Sequence, residues 1–366
     1  MKNFFRSIVH YNFNPITTEC SLEIAPIQVF RSTINYKTFI KRFYLFNFRI
    51  FKQNALQRLN QNCLHHINNK WPGYDVYIPL ASGAGEVFLL LSCINQILKE
   101  RFSGKKVAIL CVNEKLSSIA KSLGVHADIF INTDFTTLFL PEWSSTKSGR
   151  VWNPLNAEHF DLTERKILNK ETTYIESLFL RIGRRKPIQH HPSALSIRTQ
   201  RSRAFQNINF KKSIFLIPHA ETIEDIDITI WSQIARELSN KGFAIYVNAT
   251  SPRDRIPNTV PVMLSFMDAV LFGSLCECIV GMRCGLMEII LQTSAPKCLA
   301  VYTQFRKTNK NYLSAKDVIY GFSLHNLPCR NKDITEVIFD GNNNKIISSI
   351  SSWASKNNSN LIKKRK

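Results

Sequence analysis

The stretch that decides the fold is Cys278-Ile279-Val280-Gly281-Met282-Arg283-Cys284-Gly285-Leu286-Met287-Glu288-Ile289-Ile290. It begins with the apolar composition of a buried strand, turns through two glycines that bracket an arginine, and continues as an apolar segment with one carboxylate. A strand, a glycine turn and a helix start place free backbone N–H groups and a positive helix end at one point. The turn therefore either binds a phosphate with help from Arg283, or is an ordinary βα turn in which Arg283 bonds a nearby carboxylate.

Strands and helices alternate in two parts of the chain, which is the pattern of doubly wound parallel sheets. The first part has candidate strands at residues 76–80, 107–112 and 127–131 and candidate helices at residues 87–98 and 114–123. The second has candidate strands at residues 214–217, 243–247, 278–280 and 297–301 and candidate helices at residues 226–238, 268–275 and 286–292. The sequence therefore predicts an α/β fold of two Rossmann-like domains that face a cleft, where such sheets bind their ligands.

We predict four parts of the chain. These are a basic aromatic N-terminal extension (1–70), an N-terminal Rossmann-like acceptor domain with helical elaboration (71–210), a C-terminal Rossmann-like domain (211–340), and a C-terminal helix with a basic tail (341–366). Phenylalanines interleave with basic residues over residues 36–52, where we expect a helix. That helix either lies on an anionic membrane surface or packs its aromatic side chains on the next domain.

Composition narrows the function classes. The 366 residues are 44% hydrophobic, so the chain can bury large cores, and the net charge of +21 indicates an anionic partner. No cysteine spacing resembles a paired CxxC zinc site, and the odd count of nine cysteines argues against a disulfide framework. Neither the N-terminus nor the apolar window at residues 263–282, which contains Asp268 and Glu277, resembles a signal peptide or a membrane span. We therefore expect a cytoplasmic protein.

The first glycine turn, Ser82-Gly83-Ala84-Gly85-Glu86, is expected to face the cleft. It is a poor dinucleotide fingerprint, because Phe88 stands where a third glycine belongs. Glu86 follows the glycines at a helix start, where a carboxylate can take a proton from an acceptor hydroxyl. The helix end should lower its pKa and keep it ionised. The alternative is an acid that only complements the helix dipole.

Two further motifs follow the first strand of the second part. His219 either bonds a phosphate or sugar hydroxyl across the cleft, or caps a helix or sits in the core. Asp225-Ile226-Asp227 matches a D-x-D metal pattern, but Glu221 and Glu224 lie close by, and a solvated acidic helix start is the favoured interpretation. We expect no metal and no cofactor.

The motifs together resemble a known family. The stretch Pro79-Leu80-Ala81-Ser82-Gly83-Ala84-Gly85-Glu86-Val87 resembles the opening turn of GT-B glycosyltransferases of the heptosyltransferase kind, in which a carboxylate after the glycine is the proposed base. The second part is similar to bacterial capsule and lipopolysaccharide biosynthesis proteins in Ile217-Pro218-His219-Ala220, Trp231, Val247-Asn248 and the turn from Gly281 to Glu288. Cys284 stands where serine is usual, and Glu86 and Glu288 stand where aspartate is usual.

The resemblance implies an inverting, metal-independent glycosyltransferase with Glu86 as the base. The acceptor would be a glycan, in the lipid-linked case at the inner face of the cytoplasmic membrane, and no nucleic acid is expected as a partner. The nucleotide-sugar donor would be bound by His219, Asn248, Arg283, Cys284, Gly285, Leu286 and Glu288, with Ser82, Gly83 and Gly85 forming the glycine turn. The rivals are a nucleotide-sugar epimerase, a basic nucleic-acid-binding protein and an inactive family member that serves as an assembly partner.

Overall fold

The structure is a computed structural model of the chain. It describes the backbone of residues 9–14, 19–24, 27–35, 40–45, 48–54, 65, 67–132, 150–155, 163, 166–183, 205, 208–249, 255–294, 296–305, 313–328 and 333–363. Within those ranges, side chains are described from residue 65 to residue 356.

The N-terminal part of the chain contains a five-stranded antiparallel sheet. Each strand pairs with the next along the chain, so that their spatial order is the chain order. The strands are β1 (Val9–Asn14), β2 (Glu19–Ile24), β3 (Ile27–Asn35), β4 (Ile40–Leu45) and β5 (Phe48–Asn54).

The predicted N-terminal helix over residues 36–52 is therefore wrong. The described backbone of that segment, residues 40–45 and 48–52, belongs to β4 and β5, with Ile40 opposite Asn54 and Leu45 opposite Phe48. The segment is rich in aromatic and β-branched residues, which favour a pleated strand. Its phenylalanines also spread around more than one helical face, so a helix would have had no single apolar stripe to bury. The last residues of the basic C-terminal tail, 364–366, lie outside the described residues.

The first α/β lobe is a small parallel sheet with helices after its strands. Its order is β6-β7-β8, and a parallel bridge between Tyr77 and Val151 extends the sheet beyond β6. The elements are β6 (Val76–Leu80), α1 (Ala84–Ser92), α2 (Ile94–Arg101), β7 (Val107–Cys111), α3 (Glu114–Ser122), β8 (Asp128–Ile131) and the later helix α4 (Tyr174–Arg181).

The second lobe is a six-stranded parallel sheet with its own helices. Its sheet elements are β9 (Ser213–Ile217), β10 (Ala244–Asn248), β11 (Val260–Val262), β12 (Cys278–Met282), β13 (Lys297–Tyr302) and β14 (Ile334–Ile338). Its helices are α5 (Ile228–Asn240), α6 (Phe266–Leu275), α7 (Gly285–Thr293), α8 (Ala315–Phe322) and α9 (Asn343–Lys363), with a 3₁₀ turn at Leu324–Asn326.

The strand order of the second sheet is β11-β10-β9-β12-β13-β14, which is the doubly wound Rossmann order. The order reverses between β9 and β12, and a crevice opens at the carboxyl ends of strands at such a point. The predicted α/β fold of two Rossmann-like lobes is confirmed. The stretch quoted at the outset forms β12, a turn and α7, and every residue of β12 is buried.

One large apolar core joins the two lobes. It includes residues on both sides of the boundary, among them Phe88 of α1, Tyr174 of α4 and Met287 of α7. A smaller cluster covers the other face of the first sheet and contains Tyr77 and Leu110. Because the core is continuous, the lobes hold the cleft between them in a defined geometry.

The last helix, α9, folds back onto the second lobe. It packs against α5, and the Nζ atom of Lys241 donates a hydrogen bond to the hydroxyl of Ser355 at 2.7 Å. Among the described helices, none combines the length and apolar character that crossing a membrane requires.

Candidate active site

A cavity of about 600 Å³ lies between the two lobes at the carboxyl ends of β6, β9, β10 and β12. The first lobe contributes the first turn of α1 with the residue before it, and one residue each from α3 and α4. The second contributes the turns after β9 and β12, the first turn of α7, the tip of β10 and parts of α6 and α8. The lining residues are Gly83, Ala84, Gly85, Glu86, Lys115, Tyr174, Ile217, His219, Ala220, Glu221, Thr222, Asp225, Asn248, Leu264, Phe266, Ala269, Arg283, Cys284, Gly285, Leu286, Glu288 and Phe322.

The fold brings nearly all the predicted site residues to this cavity. Those on its wall are Gly83, Gly85, Glu86, His219, Asn248, Arg283, Cys284, Gly285, Leu286 and Glu288. Ser82 lies just outside the wall. The placement joins residues more than two hundred positions apart in the sequence, and their ligand-binding roles stay predictions.

The two glycine turns touch each other at the base of the cavity. A Cβ atom on Gly85 would lie 3.2 Å from Cα of Gly285 and 1.6 Å from Oε2 of Glu288. A Cβ atom on Gly285 would lie 2.7 Å from the backbone nitrogen of Gly85. Glycine is therefore required at both positions for the starts of α1 and α7 to approach this closely.

Both helices begin without a side-chain cap. The N-cap residues are Gly83 of α1 and Cys284 of α7, and neither provides a side-chain acceptor for the first amides of its helix. By contrast, α3, α4, α5, α6 and α8 are each capped by Asn, Thr, Asp or Ser. The positive ends of two helices thus face one cavity, and their first amides have no side-chain acceptor. This arrangement favours the binding of an anion.

The sulfur of Cys284 lies near the first amides of α7 but forms no capping hydrogen bond with them. Burial raises the pKa of the thiol to about 11, while the backbone amides of Met287 and Leu286 act in the opposite direction. The thiol therefore stays protonated at neutral pH and is a poor substitute for a capping hydroxyl.

Arg283 and Glu288 form a buried ion pair on the cavity wall. Nη2 of Arg283 donates to Oε1 of Glu288, and Nε donates to the carbonyl oxygen of Phe322 at 3.3 Å. The Arg283 side chain is 11% exposed and that of Glu288 is 4% exposed. Burial raises the pKa of Glu288, and Arg283 lowers it. Arg283 thus has the carboxylate partner that one of the two interpretations of its turn predicts, and it also borders the cavity.

Glu86 lies in the first turn of α1 and faces the same charges. Burial raises its pKa, the nearby Tyr174 hydroxyl and the charge of Arg181 lower it, Glu288 raises it, and Arg283 lowers it. The net direction is upward, so the expected lowering by the helix end is wrong. The helix dipole stabilises an ionised carboxylate at the helix end. Removing that carboxylate from water destabilises its ionised form by a larger free energy. A raised pKa makes Glu86 a stronger base than the sequence suggested.

The remaining charges at the cavity are paired across or along its rim. Lys115 of the first lobe donates to Glu221 of the second at 3.2 Å, and its ammonium lies 5.7 Å from the ring centre of Phe266. Nδ1 of His219 lies 3.6 Å from Oδ1 of Asp225. An incoming anion therefore meets a lysine that an exposed carboxylate now holds, and such an exposed pair is weak.

The D-x-D pattern has a structural role. Asp227 is the N-cap of α5 and accepts a hydrogen bond from the amide of Thr229 at 2.7 Å. Over the described residues, no three His, Cys, Asp or Glu side chains are grouped so that they could hold a metal ion.

Several residues of the cavity were not predicted from the sequence, among them Tyr174, Phe322 and Lys115. Tyr174 and Phe322 stack with ring centres 5.0 Å apart, and Lys115 bridges the lobes. A signal existed for α4, because Thr173 and Glu176 form a capping box just before and within it. No local pattern indicates that the side chain of Tyr174 meets Glu86, since the two are far apart along the chain.

No protein-family model matches the sequence, and no curated protein matches it. Several solved structures are similar. The glycosyl transferase of family 9 from Veillonella parvula is 8% identical with a TM-score of 0.47, over 77% of this chain and 97% of that one. The E. coli heptosyltransferase WaaC with ADP is 11% identical with a TM-score of 0.40, over 76% and 99%. The iron-containing dodecameric glycosyltransferase TibC from enterotoxigenic E. coli is 10% identical with a TM-score of 0.45, over 79% and 77%. At these identities, function has to be argued from the cavity itself.

Proposed function

We propose that this chain is an inverting, metal-independent glycosyltransferase that moves a sugar from a nucleotide-sugar to a hydroxyl of a glycan. The observation that carries the proposal is the pair of uncapped helix starts on one cavity, with Glu86 in the first turn of one of them. A diphosphate needs fixed donors, and an acceptor hydroxyl needs a base. Both requirements have a candidate group on the same wall.

The donor would lie against the second lobe. The amides at the start of α7, near Cys284, Gly285 and Leu286, would hold the diphosphate, with His219 and Arg283 beside them. Asn248 at the tip of β10 would contact the nucleotide part. Glu288 would hold Arg283 in place, and its further role as a ligand of donor hydroxyls stays a prediction. Donors fixed in this way stabilise the leaving diphosphate without a metal ion.

The acceptor would approach from the first lobe. Glu86 would remove the proton of the attacking hydroxyl as the new bond to the anomeric carbon forms and the bond to the diphosphate breaks. A single displacement of this kind inverts the configuration at the anomeric carbon. The excess of basic residues suits an acceptor that is itself acidic or that is linked to an anionic lipid surface.

The test pairs two glutamates that both occupy the first turn of a helix in the first lobe. A panel of nucleoside-diphosphate sugars is screened by thermal shift, and those that bind are then incubated with glycan acceptors and analysed by mass spectrometry. Glu86→Gln should retain the donor-induced shift and lose transfer. Glu114→Gln, an exposed position in the first turn of α3, should retain both. Undiminished transfer by Glu86→Gln would remove Glu86 from the reaction.

A further inference from the structure

Glu336 is a buried carboxylate that accepts hydrogen bonds from three donors near the end of α8. It belongs to β14, its side chain is 8% exposed, and it is not among the described residues that line the cavity. Its Oε1 atom accepts from the hydroxyl of Tyr302 at 2.5 Å and from the amide of Leu324 at 2.6 Å. Its Oε2 atom accepts from the hydroxyl of Ser323 at 2.8 Å. Hydrogen bonds to a buried charge are strong, so they hold the turn after α8 in one conformation.

Phe322, the residue just before these donors, lies on the cavity wall and contacts Arg283 in two ways. Its carbonyl oxygen accepts from Nε of Arg283 at 3.3 Å, and its ring centre lies 5.1 Å from the guanidinium carbon. The hydroxyl of Tyr302 lies 3.3 Å from the same carbonyl oxygen. Because burial and the nearby Glu336 raise the pKa of Tyr302 well above its usual value, this hydroxyl keeps its proton. Glu336 and Tyr302 thus fix the main-chain oxygen that binds Arg283.

The guanidinium of Arg283 is held at two of its three nitrogens. Nη2 donates to Glu288 of α7 and Nε donates to Phe322, while the backbone amide of Arg283 donates to the carbonyl oxygen of Val301 at 3.0 Å. Nη1 has no hydrogen bond to any residue that the structure describes. A planar guanidinium fixed at two nitrogens has a defined orientation, and its third nitrogen can bind a phosphate oxygen.

We propose that Glu336 is a positioning residue for Arg283, an inference that rests on the proposed function. Glu336 fixes the turn after α8, this turn fixes the carbonyl oxygen and the ring of Phe322, and these two groups orient the guanidinium toward the diphosphate. Glu288 alone would hold only one nitrogen, about which the guanidinium could turn. Since Glu336 lies behind the cavity wall, its effect on the donor passes through Arg283.

The first measurement needs no ligand. Solvent exchange of the Arg283 Nε–H proton is followed by ¹⁵N NMR in arginine-labelled protein, with the signal assigned by its absence in Arg283→Lys. Glu336→Ala should speed this exchange roughly tenfold, because the acceptor on Phe322 loses its fixed position. Glu336→Gln should keep the exchange slow, since its amide oxygen can still accept from Leu324. Tyr302→Phe keeps the ring and should also speed the exchange, which provides a second variant if Glu336→Ala does not fold.

The second measurement is the affinity for ADP, CDP, GDP and UDP by calorimetric titration. Glu336→Ala should weaken the tightest of these complexes roughly tenfold. In an Arg283→Lys background the same substitution should have little effect, because the two residues act by one route. A purely structural role would weaken binding by the same factor in both backgrounds.

Glu277→Ala is the matched control. Glu277 is a largely buried carboxylate that accepts from the amide of Lys212 at 2.8 Å, at the amino ends of β9 and β12 and so at the edge of the sheet opposite the cavity. It should leave both the exchange and the affinity unchanged.

The outcomes separate this inference from the proposed function. Faster exchange in Glu336→Ala, with weaker binding only where Arg283 is present, supports both. Unchanged exchange, or an equal loss of affinity in both backgrounds, overturns the positioning role and leaves the proposed function standing. Faster exchange with unchanged affinity overturns the inference and also removes Arg283 from the diphosphate site. A native protein that binds none of the four diphosphates rejects the proposed function and the inference with it.

Discussion

At the scale of single residues, the stability of the site depends on how its buried charged side chains are paired. Arg283 and Glu288 are both nearly excluded from water and compensate each other. A buried pair adds little net stability over apolar residues, but removing one partner leaves the other uncompensated. The pair therefore holds a charged group at the cavity wall without weakening the fold.

Arg283→Ala should lower the free energy of unfolding by roughly 3–5 kcal/mol at neutral pH, because Glu288 is left buried without a cation. Burial already raises the pKa of Glu288 above its usual 4.5, and loss of Arg283 raises it further. The folded state then binds more protons than the unfolded state over a wider range, so stability falls more steeply as pH rises.

Denaturant unfolding at several pH values measures this effect. The deficit of Arg283→Ala relative to the native protein should be larger at about pH 8 than at about pH 5. Lys345→Ala, which breaks an exposed bridge to Asp340, should show almost no deficit at either pH. A deficit for Arg283→Ala that does not depend on pH would mean that the loss of stability does not come from an uncompensated charge on Glu288.

Cys284→Ser should stabilise the protein. Serine is a strong N-cap residue, and its hydroxyl can accept the hydrogen bond from the start of α7 that the thiol does not make. We expect a gain of roughly 0.5–1 kcal/mol, seen as a higher Tm. Cys298→Ser, in the buried strand β13, has no helix to cap and should lower Tm. A lower Tm in both variants would contradict the claim that α7 lacks a side-chain cap that serine can supply.

Residue roles could be predicted from the sequence only in part. The position of Glu86 and the existence of a carboxylate near Arg283 follow from local spacing, and the structure brings both to the cavity. The direction of the Glu86 pKa could not be predicted, because the dipole is a property of the helix itself whereas burial depends on α4 and the second lobe. The place of Tyr174 at the cavity could not be predicted either, because it too depends on how α4 packs.

At the scale of elements, the contact between the starts of α1 and α7 shapes the base of the cavity. It needs a residue without Cβ at Gly85 and at Gly285, since added atoms meet backbone or the buried Glu288 carboxylate. The neighbouring Gly83 has room, with Cδ of Glu86 at 4.0 Å from its added Cβ. The two glycines of the first turn thus serve different purposes.

Gly85→Ala should cost about 1–3 kcal/mol of stability, because the two helix starts must separate. Donor binding should weaken with it, since the amides of α7 move relative to the first lobe. Gly83→Ala should cost less than about 1 kcal/mol, as alanine is only a poorer N-cap. Denaturant titration of both variants measures the difference, and equal losses would contradict the packing argument.

The elements that sequence reasoning found share one property. Parallel strands covered on both faces are continuous apolar runs, so β12 and β9 are visible without any knowledge of their neighbours. The strands β4 and β5 were missed because their antiparallel pairing is made between segments whose basic and aromatic residues also fit a helix. Strand order, including the reversal between β9 and β12, follows the Rossmann rule once the alternation is recognised.

At the scale of the whole molecule, the lobes are joined by a common core below the cavity and by ion pairs between their surfaces, of which Lys115–Glu221 lies at the cavity rim. Lys115 and Glu221 connect the lobes at 3.2 Å, and the side chain of Glu221 is 83% exposed. Such a bridge contributes little to stability. Its lysine is therefore available to an anionic ligand at small cost.

Lys115→Met keeps the contact with Phe266 and removes the charge. Stability should change by less than about 1 kcal/mol, whereas affinity for a nucleoside diphosphate should fall several-fold and depend less on salt. Lys121→Met, on the same helix and away from the cavity, should leave the affinity unchanged. Calorimetric titrations at two salt concentrations would test this, and equal affinities for both variants would exclude Lys115 from the anion site.

The central claim is that the two helix starts hold a diphosphate between the lobes, and a crystal structure grown with a nucleoside diphosphate tests it most directly. The account predicts that the phosphates lie within hydrogen-bonding distance of the amides of Gly285 and Leu286, with Glu86 facing the open side of the ligand. Phosphates bound at another surface, or a cavity that stays empty at saturating ligand, would contradict it.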